Sequence, residues 1–489
     1  MAEENTQPLL KKYYHENCPG CKVDKAKETT RGAPIRHLLN IWMVVLCSTL
    51  PISSLFPFLY FMVRDFNIAE TEQDIAGYAG YVGSAYMLGR SLTSVVWGII
   101  ADRYGRKPVV VIGVGTVVIF NTLFGLSTSF WMALITRFLL GALNGLLGPM
   151  KAYASEIFRE EHQALGLATV SAAWGIGLII GPALGGYLAL PVKKYPHIFA
   201  EGSIWDKFPY FLPCLIISLF AFGVIIGCIW LPETLHNHRD SEEFTDQVEA
   251  IENGSNGAIT GKTYQQPKNE SLFLNWPLMS SIIVYCVFSL HDIAYSEVFS
   301  LWAVSPGRLG GMSFTTDDVG NVLSISGAGL LIYQIFFYPA VERAFGPVGV
   351  SRISGLLSIP LLQSYPFMAA SLSGVTLFVV INASSVVMNV LFTTITTGLF
   401  LLQNRAVEQH QRGAANGISM TLMSMFKAVG PAGGGALLTW SQKRMNASFL
   451  PGTHLVFFVL NAIELLGVLL LFKPFLAVRG KKPYHLEIQ

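Results

Sequence analysis

Residues 181–186 read GPALGG, and the same small-residue pattern returns as GPAGGG at residues 430–435. Each copy lies in a long apolar stretch, and the register extends outward to pair Ala168 with Gly417. A proline beside clustered glycines bends a helix and lets a second helix approach closely. The repeat therefore indicates two copies of one membrane unit, as in transporters that bind solute between two halves.

The composition of the whole chain supports a membrane protein. Of its 489 residues, 52% are hydrophobic and 13% are charged, and the mean hydropathy is +0.48. A chain this apolar requires a lipid bilayer rather than water around it. The formal net charge of only +2 gives no reason to expect a nucleic-acid partner.

Apolar runs long enough to cross a bilayer, which takes about 20 residues, predict twelve transmembrane helices. The fold class is therefore an all-α polytopic membrane protein with two pseudo-symmetric six-helix bundles. The ninth run is the weakest, because Pro360 and Pro366 interrupt it. The predicted spans are 38–63, 74–101, 108–127, 130–152, 165–190, 209–231, 276–303, 318–340, 346–366, 371–402, 412–440 and 453–475.

Charge and composition divide the chain further. Residues 232–274 are rich in charge, Asn and Gly, which indicates a linker between the bundles. Lysine and arginine concentrate in the loops on one side, so both termini are expected in the cytoplasm. The predicted segments are an N-terminal tail 1–37, a bundle 38–231, a linker 232–274, a bundle 275–477 and a C-terminal tail 478–489.

The loop after the second predicted helix, residues 98–108, reads GIIADRYGRKP. It resembles the signature loop of the major facilitator superfamily in sequence and in position. The resemblance implies that Asp102 contacts the N-terminus of the eleventh helix, whose dipole favours an anion, and so latches one conformation. A simpler interpretation is a basic loop that only sets topology. The candidate latch comprises Gly98, Asp102, Arg103, Gly105, Arg106 and Lys107.

The fourth predicted helix contains Arg137 and, seven residues later, Asn144. This stretch resembles the second motif of the superfamily, which makes both residues substrate-binding candidates. An arginine in hydrocarbon is costly unless it is paired or hydrated, so a functional role is the first hypothesis. The alternative is a structural strut that donates to neighbouring carbonyls.

The fifth predicted helix contains GLIIGPALGG at residues 177–186. It resembles the motif associated with antiporters of the superfamily, although Ala168 stands where the wider pattern has glycine. Ordinary close packing of small residues is the alternative. The motif positions are Gly177, Gly181, Pro182, Gly185 and Gly186.

Ionisable residues cluster in the seventh predicted helix, where His291, Asp292 and Glu297 are candidates for carrying a proton across the membrane. At about 100° per residue, Asp292 and Glu297 point in different directions and do not form a ready-made pair. In the eleventh helix, Lys427 replaces the Leu178 of the first repeat and is expected to contact substrate or a carboxylate. The tenth helix adds Asn389 as a possible substrate contact.

Two further motifs narrow the resemblance. Residues 18–21 read CPGC and residues 232–238 read PETLHNH, and together they resemble the plant zinc-induced facilitator-like branch. Cys18, Cys21, His236 and His238 include zinc-ligand types, but the two motifs are separated by six helices. Either they share a metal site, or the cysteines belong to a metal-free tail.

The resemblance implies a monomeric, proton-coupled antiporter that needs no cofactor and moves a small solute by alternating access. An organic metal chelator such as nicotianamine is the favoured solute. The alternatives are a potassium/proton antiporter that influences auxin transport and a non-transporting nutrient sensor. An enzyme is not expected, because no nucleophile–base arrangement or phosphate-binding loop occurs. The sequence Leu9-Leu10 with Glu4 resembles a sorting signal, so the vacuolar membrane is expected ahead of the plasma membrane.

Overall fold

The computed structural model describes residue 14 and residues 18–29, 35–236, 272–407 and 411–477. The predicted sorting signal, His238 and the C-terminal tail lie outside these ranges. Within them the chain is helical, with no β-strand. A short helix, Pro19–Thr29, precedes the membrane helices and is called the tail helix below.

Six apolar helical stretches form the N-terminal half. The first, α1, is interrupted after Ser53 and resumes at Leu59, and the fourth, α4, is interrupted at Asn144, where φ is −97° and ψ is 64°. The stretches are α1 (Ile35–Ser53 and Leu59–Asp65), α2 (Ile75–Tyr104), α3 (Arg106–Gly125), α4 (Phe130–Ile157), α5 (Glu160–Leu188) and α6 (Phe211–Cys228).

The C-terminal half repeats this pattern. Its stretches are α7 (Trp276–Val304), α8 (Thr316–Ile332, continued by the π-turn Tyr333–Phe337), α9 (Tyr338–Ser371), α10 (Gly374–Ala406), α11 (Arg412–Gln442) and α12 (His454–Leu470). Each of the twelve predicted spans thus falls on a helical stretch. The all-helical architecture predicted from the sequence is confirmed.

The ninth span differs in detail from its prediction. Pro360 and Pro366 lie inside a helix that runs to Ser371, and the break comes earlier, at Gly346, with φ 69° and ψ 163°. Neighbouring helices can compensate for the hydrogen bond that a proline removes within a membrane. A positive φ, by contrast, takes the backbone out of the α-helical region and suits glycine. The glycine therefore separates the eighth span from the ninth.

The two glycine repeats pack in equivalent ways. In α5, Gly181 and Gly185 face Ser53 and Ser54 at the end of α1, whereas Gly186 faces Gly320 of α8. In α11, Gly434 faces Ala294 of α7, whereas Gly435 faces α2. Each repeat thus packs one side on the first helix of its own half and its last glycine on the other half. The sequence repeat is a structural repeat.

The two ends of the bundle differ. We call the end that carries residues 102–107 the motif face, and the end that carries Glu72–Asp74 the far face. At the far face α2 packs on α11 and α5 packs on α8, so the halves are in contact. At the motif face the same halves are separated by a cavity of about 630 Å³, lined by α2, α4 and α11. The structure is therefore closed at the far face and open at the motif face.

Candidate functional site

A small cavity lies at the seam between the halves, next to the closed far face. Arg137 of α4 and Glu297 of α7 both line it, and Pro431 of the second glycine repeat completes the contact between halves. Its volume is about 20 Å³, which is room for about one water molecule. Two groups of opposite formal charge, one from each half, thus face the same enclosed space.

Arg137 is held mainly by its own half. Its Nη1 donates a 2.8 Å hydrogen bond to the carbonyl of Pro51, and its guanidinium lies 4.1 Å from the centre of the Phe124 ring. Because α1 is interrupted after Ser53, the Pro51 carbonyl is in a last helical turn, where carbonyls lack partners in the helix. The structural strut that the sequence left as an alternative is present, and Arg137 also faces the seam.

Glu297 is 1% exposed and lies close to Gly83 of α2. Within the described ranges, its Oε1 and the Nε of Arg137 have no hydrogen-bond partner. A buried polar atom without a partner is costly, so a water molecule or a proton at this place would lower the free energy.

Asp292 forms the second charged contact of α7. Its Oδ2 lies 3.3 Å from the Nζ of Lys427 in α11, and both side chains retain partial exposure, at 31% and 24%. Lys427 therefore contacts a carboxylate, one of the two roles expected from its contrast with Leu178. The pair lies within the C-terminal half, so it can break and re-form without separating the halves.

His291 faces a different neighbour, and the sequence analysis missed it. Its Nδ1 lies 3.0 Å from a carboxylate oxygen of Glu464 in α12, and both side chains are fully buried. The other oxygen of Glu464 accepts a 2.5 Å hydrogen bond from Ser358. A single acidic residue in an apolar helix was the available signal. The contact places His291 in the packing of α7 against α12 rather than at the seam.

The three ionisable residues of α7 thus point in three directions, as the helical spacing predicted for Asp292 and Glu297. The polar candidates Asn144 and Asn389 form their hydrogen bonds elsewhere. Asn144 is buried in the break of α4, where it accepts a 3.4 Å hydrogen bond from Ser48. Asn389 donates to the carbonyl of Ser385, one turn earlier in its own helix.

The signature loop is anchored to its own half rather than to α11. Asp102, with a side chain 71% exposed, pairs with Arg106, and Arg106 also donates to Glu156 at 2.9 Å. Among the residues that the structure describes, Asp102 makes no contact with the start of α11 in this conformation, because the cavity at the motif face separates them. The latch remains a prediction for a conformation in which the motif face is closed.

Glu233, just after α6, completes the anchor of this loop. Its two carboxylate oxygens accept from the backbone amides of Arg106 and Lys107 at 2.9 and 3.0 Å. Gly105 has φ 107°, and a Cβ there would overlap the same carboxylate. This position therefore requires glycine for two reasons, its backbone conformation and its close approach to Glu233.

A separate cluster of metal-ligand types lies at the motif face. The Sγ atoms of Cys18 and Cys21 lie 3.9 and 4.0 Å from Nδ1 of His236. Both cysteines are buried, whereas the His236 side chain is 44% exposed. The structure therefore brings together the two motifs that six helices separate in the sequence.

Comparisons with known proteins agree with this architecture. The Major Facilitator Superfamily model matches residues 41–305. Protein ZINC INDUCED FACILITATOR-LIKE 1 of Arabidopsis thaliana is 59% identical, with 98% of this chain and 99% of its own length aligned. Protein ZINC INDUCED FACILITATOR 1 of the same plant is 57% identical, with 97% and 99% aligned.

Two solved structures share the fold at low sequence identity. A D-xylose-proton symporter superposes with a TM-score of 0.66 at 12% identity, covering 90% of this chain and 97% of its own. A bacterial homolog of the human lysosomal transporter Spinster, in an inward-facing and occupied conformation, gives 0.68 at 12% identity with the same coverage. At such identity the likeness concerns the fold alone.

Proposed function

This chain belongs to the major facilitator superfamily, and within it to the zinc-induced facilitator-like branch, and on that premise we propose that it is a proton-coupled antiporter of a small organic anion. The superfamily consists of membrane transporters, not enzymes, so the proposal concerns coupling and cargo. The observation that carries it is the seam cavity in which Glu297 of one half faces Arg137 of the other.

The seam gives a physical reason for proton coupling. Burying an ionised carboxylate without a direct partner is costly, and binding a proton removes the charge. Glu297 is enclosed only while the far face is closed, since its cavity includes residues of both halves. A proton bound there favours closure of the far face, and opening of that face hydrates Glu297 and favours proton release. Protonation and conformation are thereby linked.

Asp292 supplies a second coupling group in this proposal. Its 3.3 Å contact with Lys427 is partly accessible, so an anionic solute that binds Lys427 would compete with the carboxylate for the same cation. Displacing Asp292 leaves it free to take up a proton. Solute and proton then bind to this pair together, so the exchange of one for the other in this proposal depends on Glu297 rather than on Asp292.

The cavity at the motif face supports an anionic cargo. Its volume of about 630 Å³ is in the range of small-molecule sites. Among the described residues, its wall includes the cationic side chains Arg90, Arg106 and Lys151, against one carboxylate, that of Asp102. A metal chelator with several carboxylates, such as nicotianamine, suits this charge better than a bare cation does.

In this proposal the motif face and both termini lie in the cytoplasm, because lysine and arginine are enriched in cytoplasmic loops. The structure then corresponds to a transporter open to the cytoplasm. We place the protein in the vacuolar membrane, or next in preference in the plasma membrane.

Proton flux in proteoliposomes tests the proposal. Purified protein is reconstituted under an imposed pH gradient, and nicotianamine, its zinc complex, potassium, auxin and free zinc are added in turn. We expect nicotianamine to trigger proton release that Glu297→Gln lowers at least tenfold. Glu201→Gln, in an exposed loop at the far face, serves as the control and should match the unaltered protein.

The competing outcomes are distinct. Full coupled flux in Glu297→Gln would exclude Glu297 as a proton carrier. Proton release triggered by potassium instead would mean that the transported solute is a monovalent cation and not an organic anion. Arg90→Gln should then leave the proton flux unchanged rather than lower it. No proton flux with any of the solutes, in a sample that binds nicotianamine, would favour a non-transporting sensor.

A further inference from the structure

Two segments far apart in the sequence form one junction at the motif face. The tail helix contributes Cys18 and Cys21, and the segment after α6 contributes His236. The amide of Gly20 donates a 3.1 Å hydrogen bond to the carbonyl of Leu235, which fixes the two backbones next to each other. The junction therefore has a defined register.

Gly20, between the two cysteines, makes this approach possible. A Cβ at this position would lie 2.8 Å from three atoms of the His236 ring, which is closer than carbon atoms approach without a shift. The imidazole thus occupies the space that any other residue would fill. The sequence CPGC is suited to placing a ring between its two thiols.

The spacing of the donor atoms suits a tetrahedral thiophilic metal ion. Zinc binds thiolate sulfur at about 2.3 Å and imidazole nitrogen at about 2.0 Å, which puts these donors roughly 3.6 Å apart. The observed separations of 3.9 and 4.0 Å exceed this only slightly, and all three donor atoms lie within 4.8 Å of one another. Small movements of the exposed imidazole and of the two thiols would complete three coordination bonds.

The second nitrogen of His236 has the partner that a metal-binding imidazole commonly has. Its Nε2 lies 3.4 Å from a carboxylate oxygen of Asp24, and Lys27 binds the other oxygen of Asp24 at 2.8 Å. A carboxylate behind a ligating histidine fixes the ring orientation and increases its basicity. The arrangement leaves Nδ1 directed at the thiols.

We propose that Cys18, Cys21 and His236 form a zinc site that fastens the tail helix to the segment after α6. The fourth position takes a water molecule. The ion acts as a resident structural or regulatory ligand and not as cargo, because the site lies outside the seam and outside the cavity between the halves.

The site is connected to the signature loop through adjacent residues. Glu233 holds the amides of Arg106 and Lys107, and Thr234 donates a 2.6 Å hydrogen bond to Glu156, which also binds Arg106. A metal ion that fixes His236 therefore also restricts the segment that anchors the loop. Zinc occupancy should reduce the motion of that loop.

Metal binding to the full-length protein tests the site independently of transport. Reduced, metal-stripped protein in detergent is titrated with cobalt chloride and then with zinc chloride. We expect one tightly bound ion per chain, with a sulfur-to-cobalt charge-transfer band that zinc abolishes. Cys18→Ser and Cys21→Ser should each lower affinity at least tenfold, and Asp24→Asn should lower it about tenfold.

The control variants are Cys286→Ala, in α7, and His197→Ala, in an exposed loop at the far face. Both should bind like the unaltered protein. Unchanged binding in the double variant Cys18→Ser/Cys21→Ser would overturn the proposal. An unaltered protein that binds no more cobalt or zinc than this double variant would overturn it as well.

Hydrogen exchange tests the connection to the loop. Zinc should slow exchange of the Arg106 and Lys107 amides at least threefold in the unaltered protein and not in the double variant. Unchanged exchange in zinc-loaded unaltered protein would refute the connection. Because neither measurement requires a solute, failure here is distinguishable from failure of the proposed antiport.

Discussion

The far face and the motif face use the same two halves but hold them differently. At the far face, glycines bring the helices into backbone contact and ion pairs cross between halves: Lys443 meets Asp74 at 2.5 Å, Arg308 pairs with Glu72, and Lys194 pairs with Asp317. At the motif face, the charges of the signature loop bind Glu156 and Glu233 of their own half. Closure of a face therefore depends on whether its charged residues pair across the two halves or within one half, as well as on helix packing.

The largest effect is expected from overfilling the far face. A Cβ on Gly80 would overlap the backbone carbonyl of Pro431, and backbone cannot rotate aside. Gly80→Ala should therefore destabilise the closed far face by about 1 to 3 kcal/mol, the usual cost of overpacking. Labelling of a cysteine introduced at Thr439 by an impermeant maleimide, added from the far face, measures the opening.

The matched control is Gly223→Ala in α6, where a Cβ would meet no atom within 4 Å. It should leave labelling unchanged. Equal labelling in Gly80→Ala and the control would mean that the α2–α11 contact does not hold the far face closed.

A smaller effect is expected from the signature loop. In this conformation Asp102 is exposed and paired with Arg106, so Asp102→Asn should change the stability of the open motif face little. If the latch forms when that face closes, the closed state should lose about 0.3 to 1 kcal/mol, the typical worth of an anion at a helix N-terminus. Distances between spin labels on α2 and α11 would report the shift.

The direction of this shift is decisive. Asp102→Asn should favour the open motif face, and Glu70→Gln, a substitution at the far face, should leave that equilibrium unchanged. A shift toward the closed motif face would contradict the latch.

The smallest effect is expected from the ion pairs of the far face, because partly exposed pairs contribute about 0 to 1 kcal/mol. The hydrogen bond from Lys443 holds the pKa of Asp74 below its ordinary value of 3.8. Its contribution is therefore complete above pH 3.8 and is lost as pH falls through the lower pKa of the folded state. Acidifying the far face from pH 7 to pH 5 should leave this pair intact.

Lys443→Gln tests this weak pair directly by maleimide labelling at the far face between pH 7 and pH 5. We expect a small increase in labelling that does not depend on pH. A steep pH dependence that disappears in this variant would instead make the Asp74 pair a proton sensor.

The sequence predicted the helices and the repeat because hydrophobic length and glycine spacing are local properties. It also predicted that Lys427 contacts a carboxylate or substrate, since a lysine within the membrane requires a partner. It could not identify Glu464 as the neighbour of His291, because the side of α12 that contacts α7 depends on how α7 and α9 pack against α12. The contact of CPGC with His236 was one of two alternatives that the sequence left open, because it depends on the position at which the chain leaves the N-terminal bundle.

The anchor formed by Glu233 also has a mechanical consequence. The chain leaves the N-terminal half here, and Glu233 is the second residue of the linker predicted at residues 232–274. Because Glu233 holds two amides of the signature loop, a displacement of the segment after α6 is transmitted to that loop as well as to α6. A protein or a modification that displaces the linker would therefore also displace the signature loop.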